Sequence, residues 1–187
     1  MKSPFYFIAK PLQGKRYDNT KKLGDIDLLV STSEEDHLFS NRIAVVVSTP
    51  ISYRGPVEIN DWLLVHHNVF KYYNDMQGRK RSGKSYFKED LFFIEHDQFY
   101  MYKKKGDWQT HDRYCFVEPI SPQDSFVKKP LKEEPLMGKI KYVNKTLKDL
   151  GVKKNDLVGF KPDSEYEFMV DGKKLYRMYD HQITIVL

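Results

Sequence analysis

One stretch of the chain carries the residue types and spacing of a phosphate-binding loop. Gly78–Ser85 has the sequence GRKRSGKS and fits the pattern G-x-x-x-x-G-K-[ST] at every fixed position. In such a loop, backbone amides would surround phosphates, Lys84 would reach the terminal phosphates and Ser85 would hold Mg²⁺. The loop needs a buried strand before it and a helix after it. Polar residues precede this stretch and aromatic, β-type residues follow it, so the sequence favours an exposed basic hairpin tip over a nucleotide site.

The same tip has the composition of a nucleic-acid contact. Four cations lie in it: Arg79, Lys80, Arg81 and Lys84. Four aromatic residues flank them: Tyr72, Tyr73, Tyr86 and Phe87. Small barrels bind single strands by following the phosphate backbone with cations while aromatic faces stack on the bases. Charge runs are more often solvated loops, so nucleic-acid binding is one alternative for this segment.

The histidines, the cysteine and the carboxylates do not form a recognisable catalytic or metal-binding set. His66 and His67 are adjacent on a predicted strand, which places their side chains on opposite faces. His96 and His111 have no further ligand at metal spacing, and Cys115 stands alone. Three carboxylates could supply an acid and a base, but no pattern places them in a pocket: Asp90, Glu95 and Asp97. The sequence predicts no enzyme, no metal and no cofactor.

The elements that must position these residues are strands. The chain has 187 residues, 40% hydrophobic and 14% aromatic, which suffices for a packed core in one large or two small domains. Its 31 basic and 26 acidic residues are mixed, giving a net charge of +5 without a polybasic tail. A single cysteine excludes an internal disulfide and fits a reducing compartment, and no segment approaches the roughly 20 apolar residues of a membrane span. We therefore expect a cytoplasmic protein.

Strand signals recur along the chain, and helical periodicity is almost absent. Nine short segments are rich in β-branched or aromatic residues and bounded by turn residues: 5–12, 41–50, 61–73, 85–103, 113–120, 138–144, 155–162, 166–179 and 182–187. Asp171-Gly172 predicts a tight turn between two strands. Thr146–Leu150 predicts a single helical turn closed by Gly151. The predicted fold class is all-β.

Two parts of the sequence repeat in the same order. VEINDWLLVHH at 57–67 matches VKKNDLVGF at 152–160 with an offset of 95. EHDQFYMY at 95–102 resembles YDHQITIV at 179–186 with an offset of 84, and the difference of 11 residues falls in the first copy's loop at 74–83. A repeat of short strands predicts two copies of one small barrel, although Asn-Asp before a strand is also common turn chemistry.

The order of these elements resembles the chaperonin-10 (GroES-like) family of co-chaperonins. AKPL at 9–12 is similar to the end of the family's opening strand, and LGDIDLLV at 23–30 resembles the tip of its mobile loop. NRIAVVVSTP stands where the family has its Gly-x-Val strand, VEINDWLLV where it has V-K-x-G-D-x-V, and FFIEHDQFYMY where it has the closing turn and strand. In the second copy MGKIKYV, VKKNDLVGF and MYDHQITIVL match the last three of these elements.

The chain also departs from that family. Asn replaces the usual Gly before Asp in both copies, and Asp27 interrupts the apolar triplet of the loop tip. The second copy has only 123–136 where a mobile loop would lie. The resemblance implies two tandem GroES-like barrels, 1–108 with a mobile-loop-like segment and a basic hairpin insertion, and 109–187, which is shorter.

The long loop near residues 17–37 is polar at both flanks and apolar in its middle. The resemblance implies that it binds a chaperonin ring, through these residues: Gly24 as a flexible point, then Ile26, Leu28, Leu29 and Val30 as anchors. Ordering such a segment costs entropy, so each contact is weak, and several copies on a homo-oligomeric ring restore strength by avidity. The predicted function is a co-chaperonin that caps a chaperonin and assists folding. The alternatives are that 26–30 is an ordinary strand, that the fold serves assembly without chaperonin binding, or that the barrel binds nucleic acid.

Overall fold

The computed structural model describes residues 1–17, 20–23, 26–29, 40–104, 106–122 and 133–187, and of 20–23 and 26–29 it describes the backbone. The chain divides into two compact units, Met1–Asp107 and Trp108–Leu187. Each unit is built on antiparallel strands, which confirms the all-β class.

In its described residues, the first unit contains the strands β1 to β10 and two short 3-10 turns. The strands are β1 (Phe7–Pro11), β2 (Thr20–Leu23), β3 (Ile26–Leu29), β4 (Ile43–Ser48), β5 (Trp62–Val65), β6 (Tyr72–Asn74), β7 (Lys80–Ser82), β8 (Tyr86–Lys88), β9 (Leu91–Ile94) and β10 (Phe99–Lys103). The 3-10 turns are Leu12–Gly14 and His96–Gln98.

Where the structure describes it, at 108–122 and 133–187, the second unit contains the strands β11 to β17, one short helix and one 3-10 turn. The elements are β11 (Trp108–Thr110), β12 (Tyr114–Pro119), β13 (Met137–Tyr142), α1 (Lys145–Asp149), β14 (Leu157–Phe160), β15 (Tyr166–Val170), β16 (Lys173–Tyr179), the 3-10 turn Asp180–Gln182 and β17 (Ile183–Val186). The Asn144 side chain caps α1 by accepting the Leu147 amide at 2.9 Å, and Gly151 at φ +92° follows it. The predicted helical turn is thereby confirmed, as is the tight turn at Asp171-Gly172, where both residues have positive φ.

The sheets of the two units have the same strand order. In the first unit the order is β10-β5-β4-β1-β9-β8, and in the second it is β17-β14-β13-β12-β16-β15. The register shift between β1 and β4 falls at Ile8/Ala9, and the shift between β12 and β13 falls at Phe116/Val117, which precede a proline by the same number of residues. The register shift in the β5–β10 pair coincides with the shift in the β14–β17 pair. The register of β1 with β9 likewise coincides with that of β12 with β16. Across these pairs the two sheets match residue by residue, whereas the β8–β9 pair has a register shift that the β15–β16 pair lacks.

Each unit has its own apolar core. The first unit's core includes Phe7, Ala9, Ala44, Val46, Leu63, Val65, Val69, Phe70, Phe92, Ile94 and Phe99. The second unit's core includes Cys115, Val117, Ile140, Val143, Leu147, Val158, Phe160 and Met178. Burying each large apolar side chain contributes roughly 1.5–3 kcal/mol. The equivalent last strands differ: Met101 of β10 is fully buried, whereas Ile185 of β17 is 51% exposed.

The turn before β5 explains the repeated Asn-Asp. Asn60 has a left-handed φ of 71°, a conformation that Asn tolerates better than other residues with a Cβ. Its amide donates to the Val46 carbonyl at 2.8 Å, and the Val46 amide donates to the Asp61 carbonyl at 2.9 Å. The Asp61 carboxylate accepts the Glu58 amide at 2.8 Å. The turn thus closes on itself and fixes β5 against β4.

The turn before β14 repeats this geometry bond for bond. Asn155 has a φ of 73°, and its amide donates to the Ile140 carbonyl at 2.7 Å. The Ile140 amide donates to the Asp156 carbonyl at 3.0 Å, and the Asp156 carboxylate accepts the Lys153 amide at 2.7 Å. The closing turns also agree, since the Gln98 and Gln182 side chains each accept the amide three residues earlier.

Two predicted strands are wrong as continuous elements. The segment 61–73 holds β5 and β6 as separate strands, because the chain turns after His66, where the Val69 amide donates to the His66 carbonyl at 3.1 Å. The segment 85–103 holds β8, β9 and β10, divided by turns and by the 3-10 turn that follows Glu95. Over the described ranges, no helix has the length and apolarity needed to cross a membrane.

The left-handed asparagines give a direct stability prediction. Replacing Asn155 by Ala should lower the free energy of unfolding by about 1 kcal/mol, because Ala in this conformation is strained, whereas Asn155→Gly should leave it equal or higher. Urea unfolding followed by circular dichroism measures both variants. Equal destabilisation by Ala and Gly would show that the side chain, and not the backbone angle, matters at this position.

Candidate partner-binding site

The long loop leaves the first unit's sheet from a closed base. Tyr17 and Ser40 form an isolated antiparallel bridge, and the Asn41 amide donates to the Arg16 carbonyl at 2.9 Å. The Asn41 side chain donates to the carbonyls of Leu12 and Lys15 at 3.0 and 2.8 Å. Its oxygen in turn accepts the amide two residues later, at the start of β4. The two chain segments that enter and leave the loop are therefore held together.

Within the loop, β2 pairs with β3 as an antiparallel hairpin. Thr20 faces Leu29 and Leu23 faces Ile26 in this register. Of the five residues predicted to contact a chaperonin, Ile26, Leu28 and Leu29 lie on β3. Gly24 and Val30 lie outside the described residues. The segment thus has strand pairing, as the ordinary-strand alternative expects, and its apolar residues lie on a hairpin separate from the sheet that contains β1 and β4.

The basic segment is a second hairpin, formed by β6 and β7. Tyr72 faces Ser82 in its register. Asp75 organises the tip, because its carboxylate accepts the amides of Gln77 and Arg79 at 2.9 Å each, and Gly78 takes the left-handed φ of +73° that the tight turn requires. The expected basic hairpin is present at the predicted position.

The cations of this hairpin are largely engaged by the protein itself. Arg79 Nε lies 3.0 Å and Arg81 Nε 3.3 Å from the Asp75 carboxylate, and Lys80 Nζ lies 4.0 Å from the centre of the Tyr72 ring. The hydrogen bond from the Arg79 amide, with those from the Gln77 amide and the two guanidinium groups, holds the pKa of Asp75 below its ordinary value despite some desolvation. A polyanion would have to compete with Asp75 for both arginines.

The phosphate-loop pattern does not have the structure that phosphate binding needs. Residues 78–85 form the end of the hairpin tip, β7 and a turn, and β8 follows directly where a helix would be required. Lys84 lies in that turn. Ser85 is buried, and its carbonyl accepts the Phe93 amide at 2.7 Å. The expectation of a hairpin in place of a nucleotide site agrees with this geometry.

Arg16 joins the base of the loop to the basic hairpin. Its Nε donates to the Phe70 carbonyl at 2.7 Å, and its two terminal nitrogens donate to the Ser82 hydroxyl at 3.0 Å and the Lys71 carbonyl at 3.3 Å. Its guanidinium lies 3.5 Å from the centre of the Tyr72 ring. The sequence analysis missed this residue, because a single Arg before a polar loop has no local pattern that marks a partner more than fifty positions away.

The prediction that two adjacent histidine side chains lie on opposite faces of a strand is wrong. The His66 and His67 rings are 4.1 Å apart, because β5 ends at Val65 and the pair lies in the turn that follows. His96 packs against Phe7 with ring centres 5.5 Å apart. Cys115 is fully buried, and burial raises the pKa of its thiol to about 12. Among the described residues, no three His, Cys, Asp or Glu side chains gather as a metal site.

The remaining acidic candidates lie in turns. Asp90 lies between β8 and β9, while Glu95 and Asp97 belong to the closing turn of the first unit. On the second unit, Glu133 accepts hydrogen bonds from Lys174 and Tyr176. Glu133 thus forms an ion pair and Glu95 caps a turn, and the absence of an enzyme stays a prediction.

A buried carboxylate organises the second unit. Asp180 accepts hydrogen bonds from Arg113 at 2.7 Å, from Asn144 at 3.1 Å and from the His181 amide at 2.7 Å. Burial raises the pKa of Asp180, but these bonds outweigh it and hold the pKa below its ordinary value. Since Asn144 also caps α1, this one network joins the helix, the closing turn and the start of β12.

Comparison with known proteins adds no assignment. No family model matches the chain, and no curated protein matches it significantly. The functional interpretation therefore depends on the residues and their geometry.

Removing the carboxylate at the hairpin tip should release its arginines. Asp75→Asn should strengthen binding to heparin or single-stranded DNA by about threefold to tenfold at low salt, because Arg79 and Arg81 lose their partner. Salt-gradient elution from heparin measures the change, with Asp149→Asn on α1 as a variant of equal charge. If both variants elute later by the same amount, the change in net charge alone explains the stronger binding, and the release of the two arginines does not.

The Asp180 network should make the second unit acid-sensitive. A carboxylate whose pKa is lowered by folding stabilises the fold above its unfolded pKa, and this stabilisation is lost as the pH falls through the folded pKa. Asp180→Asn should cost about 2 kcal/mol near pH 7, and the difference from wild type should shrink below about pH 4. Urea unfolding of both proteins across about pH 2–7 measures this difference. A difference in the free energy of unfolding that stays constant over this range would contradict the prediction.

Proposed function

We propose that this chain is a co-chaperonin-like protein of the chaperonin-10 type, in which two GroES-like barrels follow one another in a single chain. In this proposal it forms a homo-oligomeric ring or pseudo-ring in the cytoplasm and caps a chaperonin, performing no covalent chemistry. The anchor is the apolar run at 26–30 on the long loop of the first unit.

The match between the two sheets supports the tandem arrangement. Shared strand order alone is common among small β folds, because few topologies are allowed. Coincident register shifts are more demanding, since a slip of one residue turns every side chain to the other face. Both units also share a left-handed Asn, an Asp-closed turn and a Gln-closed turn. Duplication of one unit accounts for all of these together.

The observation that carries the function is the hairpin in the long loop. Between β1 and β4, the chain closes a base at Tyr17 and Ser40 and then pairs β2 with β3, which holds Ile26, Leu28 and Leu29. This is the position in the element order at which the chaperonin-10 resemblance expects the partner-binding loop. An apolar strand on a hairpin apart from the sheet suits insertion into a groove on a partner.

The nucleic-acid alternative has less support. The two exposed arginines of the basic hairpin already have a carboxylate partner, and the Tyr72 ring is occupied by two cations, Arg16 and Lys80. A base that stacks on that ring would have to compete with these cations. The assembly alternative shares the fold and differs only in whether the loop binds a chaperonin.

Capture by a chaperonin ring tests the function. Purified chaperonin with ADP or ATP should retain the wild-type protein, and Ile26→Asp combined with Leu28→Asp should abolish retention, because two charges cannot enter an apolar groove without a large desolvation cost. The amount retained on a chaperonin-coupled resin is the measurement.

The control is Ile51→Asp combined with Ile59→Asp. These isoleucines belong to the same unit and are 58% and 57% exposed, so they add the same charge outside the loop. Retention of this control together with loss of the loop variant would locate the anchor. If the wild-type protein binds none of the chaperonins tested, the assembly alternative is favoured.

A further inference from the structure

We propose that the β6–β7 hairpin is a positioning element for the long loop, with Arg16 and Tyr72 as the positioning residues that fix the direction in which the loop leaves the sheet. The inference rests on the proposed function for its consequence, because the loop is the proposed partner-binding segment. The contacts that support the positioning role itself all join residues that the structure describes.

The first link is the Arg16 side chain. It donates hydrogen bonds to the Lys71 carbonyl, just before β6, and to the Ser82 hydroxyl, at the end of β7. A third hydrogen bond goes to the carbonyl of Phe70, which is a fully buried core residue. Its guanidinium also lies 3.5 Å from the Tyr72 ring centre and 4.9 Å from that of Phe92. A planar guanidinium with several donors is restricted in direction more than a Lys ammonium would be.

The second link is Tyr17, the neighbouring residue. Its hydroxyl accepts the Tyr72 amide at 2.8 Å, and the two rings stack with centres 6.0 Å apart and planes 12° apart. Tyr17 is also the residue that pairs with Ser40 at the base of the loop. The entering segment therefore binds the hairpin directly, and the leaving segment is bound through it.

The hairpin strands lie at the surface of the first unit. Among the strands that the structure describes, β6 and β7 pair with each other and with no third strand, and their six residues are exposed or half-buried. A two-stranded hairpin alone is marginally stable in water, so its order depends on what it contacts. The second unit has no strand between β14 and β15, at residues 161–165. The insertion that lengthens the first unit thus occurs in the unit that carries the long loop, and it packs on that loop's base.

Holding the base has a consequence for binding. A loop whose exit direction is fixed loses less conformational freedom when it docks, which strengthens binding without any new contact to the partner. For several loops on one ring, a fixed direction also raises the effective concentration of each remaining loop once the first has bound. Arg16 and Tyr72 would then affect binding without touching the chaperonin.

The first test measures loop direction without any partner. Spin labels on Lys10→Cys in β1 and Lys21→Cys in β2 report the distribution of distances between sheet and loop. The native Cys115 is buried and its thiol pKa is raised to about 12, so it should not react with the label. Arg16→Met and Tyr72→Ala should each broaden the distribution by about twofold or more, because the base is then free to pivot.

Two variants serve as matched controls. Tyr72→Phe keeps the ring that Arg16 and Tyr17 contact, and Arg54→Met removes an Arg that donates to the nearby carbonyls of Ile51 and Tyr53. Neither should broaden the distribution. Unchanged width in Arg16→Met, or equal broadening in Arg54→Met, overturns the proposal.

The second test is chaperonin capture with the same variants. Arg16→Met should weaken retention by about tenfold at unchanged circular dichroism, and Tyr72→Phe should not. Broadening combined with undiminished capture of Arg16→Met would overturn the role in binding. If wild type is not captured at all, the proposed function fails, while the distance measurement still decides whether the hairpin positions the loop.

Discussion

In each unit one short turn fixes a strand register, that of β4 with β5 in the first unit and that of β13 with β14 in the second. A left-handed Asn directs its amide back to the preceding strand, and the following Asp closes the turn with its carboxylate. A slip by one residue would turn the apolar residues of β5 or β14 to the wrong face and break the core. The core positions, the bulges and the closing strand all follow from this register, which is why the same turn occurs in both units.

Much of the fold was predictable because its signals are local. β-branched and aromatic runs, the Asp-Gly turn and the Asn-capped helix are specified by neighbouring residues, and they lie where the sequence placed them. The errors have a different origin. The strand through His66 ends because the chain turns there, with the Val69 amide bonding the His66 carbonyl, and the β-branched and aromatic residues on both sides of this turn do not reveal it. The family resemblance and the barrel closure stay predictions.

The candidate site was predictable in its parts but not in their connection. The apolar run at 26–30 and the basic run at 79–84 are visible in the sequence, and residues 26–29 of the first and 80–82 of the second lie on hairpins. What links them is Arg16, whose partners are carbonyls and rings far along the chain. Backbone carbonyls carry no sequence signature, so a residue that binds them can be recognised only from the structure. The basic run, in turn, suggests a polyanion site only until Asp75 is seen between its arginines.

The contrast between β10 and β17 bears on how the protein behaves in concentrated solution. β17 is the last strand of its sheet, its Ile185 and Val186 are exposed, and within Ile183–Val186 it has neither a proline nor a charge. Those are the properties of segments that pair with strands of other chains unless something covers them. We therefore expect this strand to contribute to precipitation or fibril formation when the protein is stored at high concentration.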